Sequence, residues 1–244
     1  HGYQGYIVGK DLHLYTQPSR SEYIGGVVPD KVFVTGKGLK ANIKEFCNEV
    51  VVDVAPGFRF GKVWREKLYY PNPSFFSILV GLPIGLDDSK RILSLLLEMN
   101  KSFNLSGIKF FIKPHPTWTE TKIKSMFSKG ELDSFSFVIG DFHDNLEKSN
   151  LVISNASSVS LEALAKGVPV IIVAPLTGVI QNPIPKTVTS EIWKTIYTSN
   201  QLKEAIDYFN DSKLIHKLEP AFNSVKNDFF EPVTRQGIQT LLNQ

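Results

Sequence analysis

Residues 151–175 read LVISNASSVSLEALAKGVPVIIVAP. LVIS (151–154) has strand character, and VPVIIVAP (168–175) is apolar along its length. Between them, SSVSLEALAKG (157–167) sets Leu161 and Leu164 on one helical face and stops at Gly167, a residue suited to ending a helix. Strands that are apolar at every position, rather than at alternate ones, lie in a parallel sheet covered on both faces. This stretch therefore predicts an α/β protein.

The alternation continues outward. Upstream, FFSILVGLP (75–83), GIKFFI (107–112) and FSFVI (135–139) read as strands. DDSKRILSLLLEMNKSF (87–103), TETKIKSMFSK (119–129) and DNLEKS (144–149) read as helices. The first helix opens with acidic residues, as a helix N-terminus favours, and repeats Ile92, Leu95, Leu96 and Met99 at helical spacing. Downstream, KTIYT (194–198) is a candidate further strand, and SNQLKEAIDYFN (199–210) and PVTRQGIQTLLN (232–243) are helices. These elements make one complete doubly wound domain. An earlier series, KVFVT (31–35), GLKANIKEF (38–46) and VVDVA (51–55), closed by Pro56-Gly57, reads as the last units of another. FRFGKVWREKLYYPNPS (58–74) mixes proline, aromatics and charge without periodicity and reads as a linker. The expected division is 1–65, a remnant of an amino-terminal lobe with its linker, and 66–244, a ligand-binding lobe. The chain opens on HGYQGYIVG without Met, which reads as a fragment starting inside a larger protein with most of that lobe missing.

Composition narrows the function. The chain has 244 residues, 42% hydrophobic and 21% charged, enough for a substantial core. A net charge of +3 suits a small anionic ligand and is too weak to imply nucleic acid. A single cysteine, Cys47, excludes an intrachain disulfide and a thiolate metal cluster. No stretch has the apolar length needed to span a bilayer as a helix.

In an open parallel sheet the ligand sits outside the carboxyl ends of the strands. One such end reads FFIKPHPTW (110–118). Lys113 and His115 each precede a proline, so both belong to a stiff, extended loop. Another is Ser154-Asn155-Ala156-Ser157-Ser158, where Ser157 or Ser158 is a natural N-cap. Serine hydroxyls and free backbone N–H groups there suit a phosphate. Gly140-Asp141-Phe142-His143-Asp144 ends the intervening strand on the same edge.

KPHP, followed by GDFHDNLEKSNLVISNASSVSLEALAKGVPVI, resembles the carboxyl-terminal half of a GT-B fold glycosyltransferase. The His-Pro and later Ser-Ser pair resembles bacterial sialyltransferases, polysialyltransferases and Kdo transferases, which use CMP-activated sugars. The same order resembles the CDP-glycerol glycerophosphotransferases of teichoic acid synthesis. HGYQG and PDKVFVTGKG are similar to bacterial surface-carbohydrate biosynthesis proteins of this type. The likeness is good over 75–180 and loose over 1–60.

The resemblance implies that His115 and Pro116 contact the cytidine monophosphate and that Lys113 supports its charge. Ser157 and Ser158 would hold the phosphate, with Asn155 beside them and Glu162 reaching the ribose. It implies an inverting transfer of a sialic-acid- or Kdo-like sugar, needing no metal and no cofactor, the CMP-sugar being a substrate. The acceptor would be a surface glycan or a lipid-linked one. The expected location is the cytoplasm, at the inner face of the membrane. His1 is a candidate base through QHG-like motifs of related proteins. Arg59 is a candidate to reach the donor across a cleft, and Gly81 to let backbone approach it closely. His143 reads as a cap of the next helix, His216 as surface, and His13 as packing near a strand.

Two departures stand out. The acidic Asp/Glu-Asp/Glu-Gly motif of such sialyltransferases is not present in this chain. Asn155 stands where glycerophosphotransferases have Asp, which favours sugar transfer. The alternatives are a CDP-glycerol or CDP-ribitol phosphotransferase, a sugar-nucleotide epimerase, or a nucleotide-binding lobe without catalysis of its own.

Overall fold

The computed structural model describes residues 1–7, 18–65, 75–155, 157–176 and 182–242. His13, Ala156 and the second half of the linker reading, 66–74, lie outside the described residues.

Two parallel sheets carry the architecture. The first contains β1 (Gly2–Gln4), β2 (Lys31–Val34) and β3 (Val51–Val54) in the order β1-β2-β3. Helices α1 (Arg20–Ile24) and α2 (Lys40–Phe46) lie between these strands in sequence. The second sheet contains β4 (Phe76–Gly81), β5 (Ile108–Lys113), β6 (Ser136–Phe137), β7 (Leu151–Ser154), β8 (Val170–Val173) and β9 (Trp193–Ile196). Its order is β6-β5-β4-β7-β8-β9, with all the described pairings parallel. From β4 the chain builds outward through β5 and β6, then returns to the other side of β4 with β7. The order therefore reverses between β4 and β7, and in open parallel sheets such a switch point is where a ligand binds, outside the carboxyl ends.

Helices α3 (Leu86–Ser102), α4 (Glu120–Lys124), α5 (Phe142–Leu146), α6 (Val159–Ala165) and α7 (Ser199–Phe209) connect or follow these strands. Then come α8 (Ser212–Lys217), α9 (Glu219–Phe229) and α10 (Arg235–Leu242).

The continuous apolar runs are explained by what each face meets. Ile78, Val80, Leu151, Ile153, Ile171 and Val173 join a core with Leu96 and Met99 of α3 and Leu202 and Ile206 of α7. The intervening Leu79, Val152, Val170 and Ile172 join a second core with Leu161 and Leu164 of α6 and Val225 and Phe229 of α9. Side chains alternate across a strand, so two buried faces require an apolar residue at every position.

Three expectations change. The helix expected over 119–129 is confined to Glu120–Lys124, capped by Thr119, whose hydroxyl accepts from Lys122 N–H. The strand expected over 135–139 pairs only at Ser136–Phe137, an edge position with neighbours on one side. The first half of the expected linker is structured: Phe58–Trp64 forms 3-10 turns, with Phe60 and Val63 buried. Phe60 meets Phe230 edge to face at 5.2 Å, which carries the second core across to Val34 and Val52 of the first sheet.

Candidate functional site

Register brings the predicted loops to one edge. Gly81, the last residue of β4, pairs with Lys113, the last of β5, and Val80 pairs with Ile153 of β7. The Lys113 carbonyl accepts from Leu82 N–H at 3.0 Å, which continues the pairing into the loop. Lys113 and His115 are half-buried and Pro116 is exposed. A Cβ on Gly81 would lie 3.8 Å from the Phe142 ring, an ordinary contact, so Gly81 is not forced by crowding there.

The two prolines do not hold His115 unaided. Its Nδ1 lies 2.6 Å from the Thr117 hydroxyl and accepts the Thr117 backbone N–H at 3.2 Å. An Nδ1 that accepts leaves the proton on Nε2, so the ring presents an N–H donor outward. Trp118 pins the loop by donating its indole N–H to the Ile84 carbonyl at 2.7 Å.

The serine loop departs from the predicted cap. Ser158 precedes α6 with helical φ/ψ, and its side chain makes no capping bond. Its carbonyl instead accepts from Leu161 and Glu162. The Ser157 and Ser158 hydroxyls, both half-buried, bond to no described residue and remain free for a ligand. Asn155 is buried, at 6% exposure, and its carbonyl accepts from the Ser154 hydroxyl at 3.3 Å. Ser154 also pairs with Ser160, oxygen to oxygen at 2.7 Å, fixing the end of β7 against α6.

His143 is not the cap of α5. Asp141 has that role, accepting from His143 N–H at 2.9 Å, and the imidazole turns inward to Glu162, with Nε2 2.8 Å from a carboxylate oxygen. A single glutamate within the apolar SLEALA run signals a buried carboxylate that needs a partner, but nothing in the sequence says which residue supplies it. Asp141 also binds Lys62 at 2.7 Å, and that bond holds its carboxyl below the usual range. Lys62 belongs to the segment after β3, so the carboxyl-end loops of the two sheets meet here. Arg59, from that same segment, is exposed and stacks over the Tyr6 ring at 5.1 Å.

His1 is not brought to this edge. It precedes β1, at the amino end of the first sheet, and packs edge-on against Phe33 at 5.9 Å. His216 lies exposed on α8.

No protein-family model and no curated protein matches the chain. Solved structures do. A Staphylococcus aureus MnaA–UDP structure superposes with a TM-score of 0.62 at 15% identity, over 99% of this chain and 67% of that one. Sucrose-phosphate synthase from Thermosynechococcus elongatus gives 0.54 at 15% identity, over 99% and 65%. The wall teichoic acid polymerase TagF, soaked with CDPG, gives 0.54 at 10% identity, over 97% and 63%. The chain thus spans about two thirds of each of these proteins. Together with the parallel sheets and the strand order, these likenesses define the fold as GT-B-like, with a Rossmann-like second sheet.

Proposed function

We propose that the chain contains the donor-binding lobe, and part of the amino-terminal lobe, of a glycosyltransferase that uses a CMP-activated acidic sugar. The observation that carries this reading is that uncommitted donors lie at the carboxyl ends of β5 and β7, the two strands that flank β4. These are the outward Nε2–H of His115, the Lys113 ammonium and the free hydroxyls of Ser157 and Ser158. Such donors suit the phosphate of a leaving nucleotide. The sialyltransferase- and Kdo-transferase-like order of the His-Pro and Ser-Ser motifs supports cytidine as its base.

Transfer would be direct displacement. An acceptor hydroxyl, deprotonated by a base, attacks the anomeric carbon, and the bond to the phosphate oxygen breaks to release CMP. His115, Lys113 and the serines stabilise the charge that develops on that phosphate. In this scheme no metal takes part, and the base belongs to a part of the protein other than His1. The acceptor is a bacterial surface glycan, free or lipid-linked, and the enzyme meets lipid-linked acceptors at the inner face of the cytoplasmic membrane. The likeness to TagF favours a second reading, a CDP-alditol phosphotransferase built on the same donors.

Calorimetric titration with CMP, UMP and CDP tests the proposal. CMP is expected to bind in preference to UMP, with at least ~10-fold loss in His115→Ala and in the double variant Ser157→Ala/Ser158→Ala, as for charge-assisted hydrogen bonds. Equal binding of UMP would move the assignment to uridine-nucleotide transferases or epimerases. Binding of CDP well above CMP would favour the phosphotransferase.

A further inference from the structure

We propose that His143 is a positioning residue: it holds one oxygen of the Glu162 carboxylate so that the other accepts a ribose hydroxyl of the bound nucleotide. The inference rests on the nucleotide reading above and names a residue that reading does not use.

Glu162 is only 7% exposed and lies in a helix whose residues Ser160–Ala165 are all buried. A carboxylate in such surroundings needs hydrogen-bond donors to offset lost hydration. Among the described residues it has one, His143 Nε2, at 2.8 Å. Its second oxygen takes no bond from a described residue. Yet, among the described residues, the sealed side-chain atoms without a partner are Trp64 Nε1, Arg91 Nε and His143 Nδ1. That oxygen is therefore not sealed, and it is left for a donor from outside the protein.

His143 is built to aim rather than to be satisfied. Its backbone N–H is held by Asp141, and its carbonyl by Glu147 N–H at 3.0 Å. Phe142, whose ring stands edge-on to the imidazole at 5.9 Å, reaches the end of β4 at Gly81. The ring so fixed gives Nε2–H to Glu162, and its buried Nδ1 meets no partner among the described residues.

Charge sets the polarity of the ligand. Ser158 and Glu162 are one helical turn apart, about 6 Å along the axis. A carboxylate repels a phosphate and accepts from a sugar diol. A nucleotide with its phosphate at Ser158 and His115 would therefore turn its ribose toward Glu162.

The test is a discrimination ratio: calorimetric affinities of CMP and 2′-deoxy-CMP, and of UMP and 2′-deoxy-UMP, for wild type and variants with matched thermal melts. Wild type is expected to prefer the ribonucleotide by ~10-fold. His143→Leu should bring that preference close to parity. His143→Gln, whose amide nitrogen falls near the Nε2 position, should keep most of it. An unchanged ratio in folded His143→Leu overturns the inference. A wild type that binds both sugars alike overturns it too while leaving the nucleotide reading intact, whereas a wild type that binds no nucleotide overturns both. Should His143→Leu not fold, His143→Gln is compared with the shorter His143→Asn. Loss confined to Asn supports the positioning role, and equal ratios refute it.

Discussion

Lys166 is the most deeply buried charged residue among those described. It ends α6, with 2% of its side chain exposed, and gives its ammonium to the Arg65 carbonyl at 2.9 Å, with Glu147 at 3.6 Å. Burial, only partly offset by Glu147, lowers its pKa from the ordinary 10.5. The unfolded chain therefore holds that proton more tightly than the folded one. Between the lowered folded value and 10.5, this group makes stability rise with pH. Lys166→Met removes the slope. The unfolding free energy of wild type minus that of the variant, from urea titrations at pH 7, 9 and 10, should grow as pH rises. A flat difference would mean that Lys166 titrates as it does in solvent. The same residue shows how far the sequence speaks at this scale. AKG marks a helix end, but the carbonyl that fixes the ammonium belongs to Arg65, 101 positions away. His115 was more legible, because flanking prolines restrict it locally. Its tautomer was not, since that depends on the turn that delivers the Thr117 N–H. His143 reads as a cap because the competing cap, Asp141, and the buried acceptor, Glu162, become distinguishable only in three dimensions.

Elements were legible where burial on a face outweighed everything else. LVIS is a strand over the residues its apolar run predicts, and α3 spans Leu86–Ser102 against an expected 87–103. That helix gives a direct test of the pattern. Leu96 is fully buried against the second sheet, while Glu98 is exposed. Leu96→Ala should cost about 2–5 kcal/mol in denaturant unfolding, the range for a buried leucine cavity. Glu98→Ala should stay within about 0.5 kcal/mol. Similar losses at both positions would contradict the amphipathic assignment. Shorter elements escaped for a physical reason. β1 has three residues, too few for a period to show, and β6 pairs over only part of the run that reads as a strand. α9 carries buried Phe222, Val225 and Phe229 at helical spacing, with Pro220 in its first turn, where its missing N–H costs nothing. In 58–64, Phe60 and Val63 are core residues whose spacing fits 3-10 turns rather than a regular helix or strand.

At the scale of the molecule, the end of the chain completes its beginning. Residues after α9 cross to the first sheet, where Glu231 N–H donates to the Thr35 carbonyl at 2.6 Å and Gly57 N–H to the Glu231 carbonyl at 2.9 Å. The Thr35 hydroxyl donates to the Phe229 carbonyl, 194 positions along the chain. No local sequence pattern announces contacts of that range, and the reading of 1–65 as a remnant did not include them. Gly36 makes the crossing possible. Its backbone is extended, so conformational freedom is not the reason for a glycine. A Cβ there would fall 2.4 Å from the Phe229 carbonyl carbon, against backbone that no rotamer change can move. Gly36→Ala should therefore push α9 and the segment after it off the first sheet, at a cost of about 3 kcal/mol or more, the upper end for overpacking. Hydrogen exchange separates this from a general loss of stability. The Gly57 and Glu231 amides should lose protection in the variant before Leu79 and Val152, whose amides belong to the second sheet. If all four amides weaken together, the return segment is not a separable clasp. The two sheets would then unfold as one unit through the core they share.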